Sequence, residues 1–193
     1  MTSDRVTTQA RVVVDAFNAA LASNNVEELS ACFYTEQSFW RDTVALTSHL
    51  RTFSTPRVVA AALLKMITLR GIVGKIDLSE EAHFVVISPT LVSQPSSSFH
   101  QYERFVDENS KMFIDCGICF LTGSPALECL GRILLLPAEI GGVVSWKIWV
   151  LSTWVKKIVH RSEDETLLRA PARSLKDLGI IETDVVIIGG GSS

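Results

Sequence analysis

The stretch KMFIDCGICFLTGSPALECLGRILLLPAEIGGVVSWKIWVLST, residues 111–153, decides the fold. It holds three apolar runs, 112–121, 127–136 and 146–153, parted by Gly123-Ser124-Pro125 and then by Gly141-Gly142. Successive side chains of a strand point to opposite faces, so an apolar residue at every second position marks a strand with one buried face. Met112, Ile114, Cys116 and Ile118 share one side of the first run on this count, and Trp146, Ile148 and Val150 share one side of the third. Glycine and proline in short connections are turn residues. Three consecutive strands are therefore expected, with further strands at 84–88 and 99–106.

Towards the N-terminus the period changes. Val13, Phe17, Ala20 and Leu21 recur at helical spacing and predict an amphipathic helix over 7–23, broken by Asn24 and Asn25. Asn25 can cap a second short helix reaching Cys32 or Phe33, with Glu28 standing where a capping-box carboxylate would. Thr55 and Pro56 form an N-cap and first-turn pair for a third helix, whose Val59, Leu63 and Met66 share a face and which Gly71 ends. The stretch 34–50 suits a strand as well as a helix and stays open.

Helices followed by a run of strands is an α+β order: helices packed on one face of a curved, mostly antiparallel sheet. Such a sheet encloses a cone, and its helix-lined open end is where a pocket would form.

Composition bounds the rest. With 193 residues, 47% of them hydrophobic, the chain can bury one sizeable core with an appendage rather than two full domains. Eighteen basic against 21 acidic residues, with no basic cluster, argues against a nucleic-acid partner. The N-terminus lacks the apolar segment of a signal peptide and no run is apolar enough to span a bilayer, so a cytoplasmic protein without a membrane partner is expected. Cys32, Cys116, Cys119 and Cys129 lie in apolar segments without paired metal-site spacing. Three positions apart on a strand, Cys116 and Cys119 point to opposite faces; buried reduced thiols and no metal are expected.

Residues 156–183 mix charge with scattered leucines and read as a linker that follows a first domain over 1–155. The chain then ends on DVVIIGGGSS, 184–193, an apolar β-branched run entering a glycine turn as the first strand of a dinucleotide fold does. Gly189 and Gly191 fit its first two glycines. The third would fall at 194, and neither the helix whose N-terminus holds the pyrophosphate nor the acidic residue for the ribose follows. A glycine-rich tail is the other reading, and the preceding linker favours the truncated cofactor domain.

Taken with FWRDTVALTSHLRTF at 39–53, GSPALECLGRILLLP and SWKIWVLST, the ending ETDVVIIGGG resembles fungal flavin-containing monooxygenase-like proteins. These carry an NTF2-like (SnoaL-like) domain ahead of the flavin domain, and the likeness covers their first third. It implies a cone-shaped α+β barrel followed, in full-length relatives, by FAD- and NADPH-binding domains that oxygenate a small organic substrate. Only Gly189 and Gly191 match the FAD pyrophosphate loop. The resemblance therefore implies an accessory domain that holds no cofactor and lacks monooxygenase activity by itself.

The alternative is a free-standing isomerase, cyclase or dehydratase of secondary metabolism that works without a cofactor on a small hydrophobic substrate. Enzymes of the NTF2-like class use a carboxylate in an apolar cone, and burial must raise its pKa for the base to work. Asp42, after Phe39 and Trp40, is the candidate by analogy; as a solvated or ion-paired turn residue it would be inert. His49 and His100 could shuttle the proton, Tyr102 could donate to an oxyanion, and Asp115 could be a second carboxylate. Each has a plain structural reading too. Trp40, Trp146, Trp149 and Trp154 are core and interface aromatics, and a homodimer through the sheet is expected as a partner. An apolar cone with Asp42 pointing inward near His49, His100 or Tyr102 favours catalysis, whereas a cone filled by its own tryptophans and leucines favours the accessory role.

Overall fold

The computed structural model describes residues 3–80, 82–87, 111–140 and 142–159. In chain order they form helices α1 (Ser3–Ser23) and α2 (Val26–Ser30), strands β1 (Phe39–Thr43) and β2 (Arg51–Ser54), and helix α3 (Pro56–Arg70). Strands β3 (Ile72–Leu78), β4 (His83–Ile87), β5 (Lys111–Gly123), β6 (Ala126–Ile140) and β7 (Val143–Ile158) follow. The α+β class expected from the sequence is the one observed, but the order is not purely helices then strands: β1 and β2 precede α3, and β3 forms where no strand was expected. The expected strand at 99–106, His100, Tyr102, most of the expected linker, and Gly189 with Gly191 lie outside the described residues.

One sheet runs β2-β1-β7-β6-β5-β3, with β4 also on β5. All of its pairings are antiparallel except β1 against β7, which is parallel. The β3 and β4 segments lie end to end along one edge of β5, since Leu78 faces Ile118 and His83 faces Asp115. Extra residues between them, and between Val73 and Asp77, bend that edge, as bulges do. Asn18 of α1 fastens it: its amide nitrogen donates to the Ile76 carbonyl (2.8 Å) and its amide oxygen accepts from Ile76 N–H (2.9 Å).

The helices cover one face. Val6, Ala10, Val13, Val14 and Phe17 of α1 are buried, as are Val59, Ala60, Leu63 and Leu64 of α3. They share a core with Ile114, Cys116, Ile118, Ile133, Leu135, Ile148 and Leu151 from the middle of the sheet. Glycine is required where β6 is most crowded, because a Cβ on Gly131 would stand 2.6 Å from the Ser152 carbonyl and 2.9 Å from Ile118. Leu136 and Val150 belong to the opposite face, which no described helix covers.

Three sequence expectations need correction. The alternation 146-148-150 does not hold, because Leu135 pairs with Ile148 and Leu134 with Val150, leaving Trp149 as an extra residue. The bulge turns Val150 outward and brings Leu151 and Thr153 inward. Met112 does not share the burial of Ile114, Cys116 and Ile118; it is exposed at the strand's start. Thr55 is the residue before α3 but supplies no side-chain cap: its backbone is at φ 72°, ψ 141° and its N–H donates instead to the Ser38 carbonyl at 3.0 Å.

Other local readings hold. Asn25 Oδ1 accepts from the N–H groups of Glu27 and Glu28, and Asn25 Nδ2 donates to the Glu28 carboxylate. Helix α2 nevertheless stops at Ser30, short of Cys32. Gly71 terminates α3 at φ 65°, its N–H returning to the Ile67 carbonyl. The open stretch 34–50 resolves into β1 and the connection 44–50 that leads to β2, while the final strand runs past position 155 to Ile158.

Candidate functional site

Strand β1 places Trp40 and Asp42 on the helix-covered face, and neither has any exposed surface. The chain must then reverse quickly, and it does so with Val44 in the left-handed region at φ 65°. Asp42 holds that turn. Its Oδ2 accepts from Thr47 N–H (2.8 Å) and Leu46 N–H (3.1 Å), and Oδ1 accepts from the Thr153 hydroxyl of β7 (2.5 Å). The Thr47 hydroxyl stands 2.6 Å from Oδ2 and 2.5 Å from the His49 carbonyl, and its single proton can serve only one of them at a time. Thr153 in turn accepts from the Trp40 indole N–H at 2.9 Å.

Asp42 is thus neither solvated nor ion-paired. It is a buried carboxylate whose oxygens are occupied by backbone amides and hydroxyls, the arrangement that satisfies a charge away from water. Trp40 seals one side, stacked on Phe53 with ring centroids 4.8 Å apart. His49 is exposed, with its ring beside the Ser48 hydroxyl (3.5 Å) rather than on Asp42. His100 and Tyr102 are outside the described residues.

Asp115 lies on the other side of the sheet. Strand alternation sends it outward between the inward Ile114 and Cys116, so it cannot act with Asp42 as a second carboxylate. Arg132 grips it with both arms of its fork: Nε donates to Oδ1 at 2.6 Å and Nη2 donates to Oδ2. That carboxylate beside it pushes the Arg132 pKa upward, first through the hydrogen bonds and then through its charge. His83, directly across from Asp115, holds Nε2 3.9 Å from Oδ2. Together with Glu80, Trp154 and Lys156 these residues line an open cleft of about 380 Å³ on the outer face. Lys156 is held at 2.6 Å by Glu128, which also binds Lys157 at 2.9 Å.

The four cysteines are free thiols. Burial pushes Cys116 up to about 12 and Cys129 up to about 11, with the nearby Asp115 and Asp42 charges adding respectively. Among the described residues no cluster of three or more His, Cys, Asp or Glu could hold a metal. No described helix is long and apolar enough to cross a membrane.

Gly189 and Gly191, the residues that match a flavin pyrophosphate loop, lie outside the described residues. The start of α2 is already occupied by Asn25, and α3 opens with Pro56, which has no N–H to offer.

Sequence reading singled out Asp42 but missed its partners. Thr47 is five positions away and could have been suspected as a local bond, whereas Thr153 arrives from a strand paired in parallel across the sheet. The Asp115–Arg132 pair was hidden likewise, because its register depends on how β5 and β6 turn.

No family profile matches the sequence, and no curated protein matches it. Solved structures do resemble it. A candidate dehydratase of the NTF2-like family from Streptomyces avermitilis aligns over 80% of this chain and 98% of its own at 14% identity, with a TM-score of 0.46. A protein with a cystatin-like fold from Caulobacter vibrioides covers 86% of this chain and 99% of its own at 13% identity, with a TM-score of 0.45. An NTF2-like protein of unknown function from Shewanella oneidensis covers 77% and 98% at 10% identity, with a TM-score of 0.40. Likenesses at this level carry no inference about activity.

Proposed function

We propose that residues 3–159 form a non-catalytic NTF2-like packing domain, the accessory domain of a flavin-dependent monooxygenase-like protein. The observation that supports this reading is the state of the helix-covered face. Trp40, Phe17, Phe33, Leu63, Ile133 and Leu135 fill it, each at most 2% exposed. The one carboxylate among them, Asp42, has its oxygens engaged by the chain's own donors. A general base needs a lone pair within reach of a substrate proton, and Asp42 offers none without unmaking the turn it holds. The association with a flavin enzyme rests on the sequence resemblance. In this reading the 193 residues bind neither FAD nor NADPH by themselves, and the cofactors belong to full-length relatives.

Half-buried Leu130, Leu134, Leu136, Val150 and Trp154 on the outer face support a second element of the proposal, a homodimer formed through the sheet. A test of the whole reading is to purify the 193-residue chain, record its visible spectrum, and titrate it with FAD and NADPH. The proposal expects no flavin absorbance and no saturable binding. Stoichiometric bound flavin would overturn it, as would turnover of any carbonyl substrate that disappears in a stably folded Asp42→Asn variant.

A further inference from the structure

The turn held by Asp42 has a second side. There the β1–β2 connection, the end of α3 and the β5–β6 hairpin meet around a cleft of about 380 Å³, lined by Leu46, Ser48, Met66, Leu69, Arg70 and Ser124. Arg70 is the only charged residue in that lining. Its Nε donates to the Leu46 carbonyl at 3.1 Å and its Nη2 to the Thr47 carbonyl at 3.4 Å. These bonds use two of the five guanidinium N–H groups and fix the plane of the fork. Among the described residues no carboxylate pairs with it.

The walls have the opposite character. Met66 is half-buried against the core, while Leu69 leaves 64% of its surface in solvent on the last turn of α3. Ser48 and Ser124 add hydroxyl groups to the lining. A concave apolar wall with one oriented cation that has no carboxylate partner among the described residues is the pattern of a site for a small amphiphile, with the polar group setting orientation and the wall taking the rest. A planar fork whose remaining N–H groups have no partner among the described residues matches a carboxylate in a bidentate pair. A phosphate dianion is a poorer match, because the lining supplies a single cation and leaves the apolar wall unused.

We infer that this cleft binds an organic monocarboxylate with a short apolar tail, the carboxylate on the free edge of Arg70 and the tail along Met66 and Leu69. The site lies outside the filled interior, so the inference stands or falls separately from the packing role.

The full chain, labelled with ¹⁵N, is titrated with octanoate and separately with 1-octanol and inorganic phosphate, following amide shifts. The expected result is saturable octanoate binding on the order of millimolar or tighter, with shifts at Ser48, Leu69, Arg70 and Ser124. Octanol and phosphate should bind at least about tenfold more weakly. Arg70→Gln should weaken octanoate by about tenfold or more. Because Arg70 also ties down the turn, Leu69→Glu provides a variant at an exposed position, placing a competing carboxylate at the rim without touching the core. It should abolish binding while leaving the remaining spectrum intact. Absence of saturable octanoate binding, equal binding of octanol or phosphate, shifts centred elsewhere, or undiminished affinity in Leu69→Glu would each overturn the inference.

Discussion

Replacing Asp42 by alanine should destabilise the domain strongly, because the carboxylate organises the turn from inside the core. Four donors converge on it: the amides of Leu46 and Thr47 and the hydroxyls of Thr47 and Thr153. The Thr47 hydroxyl has the His49 carbonyl as an alternative acceptor at 2.5 Å. The two amides have no alternative among the described contacts. A buried amide left without its acceptor costs roughly 1–3 kcal/mol. Two of them, with the small void left by the side chain, give about 3–5 kcal/mol. Asp42→Asn keeps one carbonyl oxygen for the amides and misplaces an NH₂ against Thr153, at a cost of about 1–2 kcal/mol. Urea unfolding followed by tryptophan fluorescence measures both, and the alanine variant should melt on the order of 10 °C below the parent. If Asp42→Ala lost less than about 1 kcal/mol, the carboxylate would not be holding the turn, and the argument against its catalytic use would fall with it.

Relieving the turn should have the opposite sign. Val44, β-branched and at φ 65°, gains from replacement by glycine, and Val44→Gly should raise the urea midpoint by the equivalent of about 0.5–1 kcal/mol. The thiols should divide by burial: with pKa values pushed to about 12 and about 11, Cys116 and Cys129 should resist a disulfide reagent at pH 8 until urea is added, while the half-buried Cys32 and Cys119 react first. The side-chain hydrogen bonds from Lys156 and then Lys157 hold the Glu128 carboxyl below its ordinary value of 4.5. A depressed carboxylate stabilises the fold fully above the unfolded pKa and loses that contribution as pH falls through the folded one. Carbon-detected NMR titration should therefore place Glu128 below 4.5, and the Lys156→Met, Lys157→Met double variant should move it back up.

The parts of the fold legible in the sequence were those written in local chemistry. The period of α1, the Asn25 cap, the Gly71 stop and the strands of 111–153 all follow from residues a few positions apart. What escaped depends on tertiary partners. Strand β1 lies in a stretch whose composition suits either regular structure, and it is fixed by parallel pairing to a strand more than a hundred residues later. The alternation in β7 failed at Trp149 because a bulge is a property of two strands in register, not of one. The candidate site was legible in the same partial way. Asp42, a candidate by analogy alone, is inward, yet its donors and its separation from His49 are set by the turn's geometry. Arg70 went unnoticed because nothing in its neighbourhood shows that its fork folds back on two carbonyls.

The claim on which the account turns is that the interior around Asp42 is closed and dry. Hydrogen exchange of the Trp40 indole N–H tests it most directly, because that proton is fully buried and donated to Thr153, which donates to Asp42. In a closed core it exchanges only when the whole domain opens, so its protection should equal the unfolding free energy from urea and fall by the same amount in Asp42→Asn. Exchange much faster than global unfolding in the intact protein would mean that water reaches the carboxylate, and would contradict the packing role.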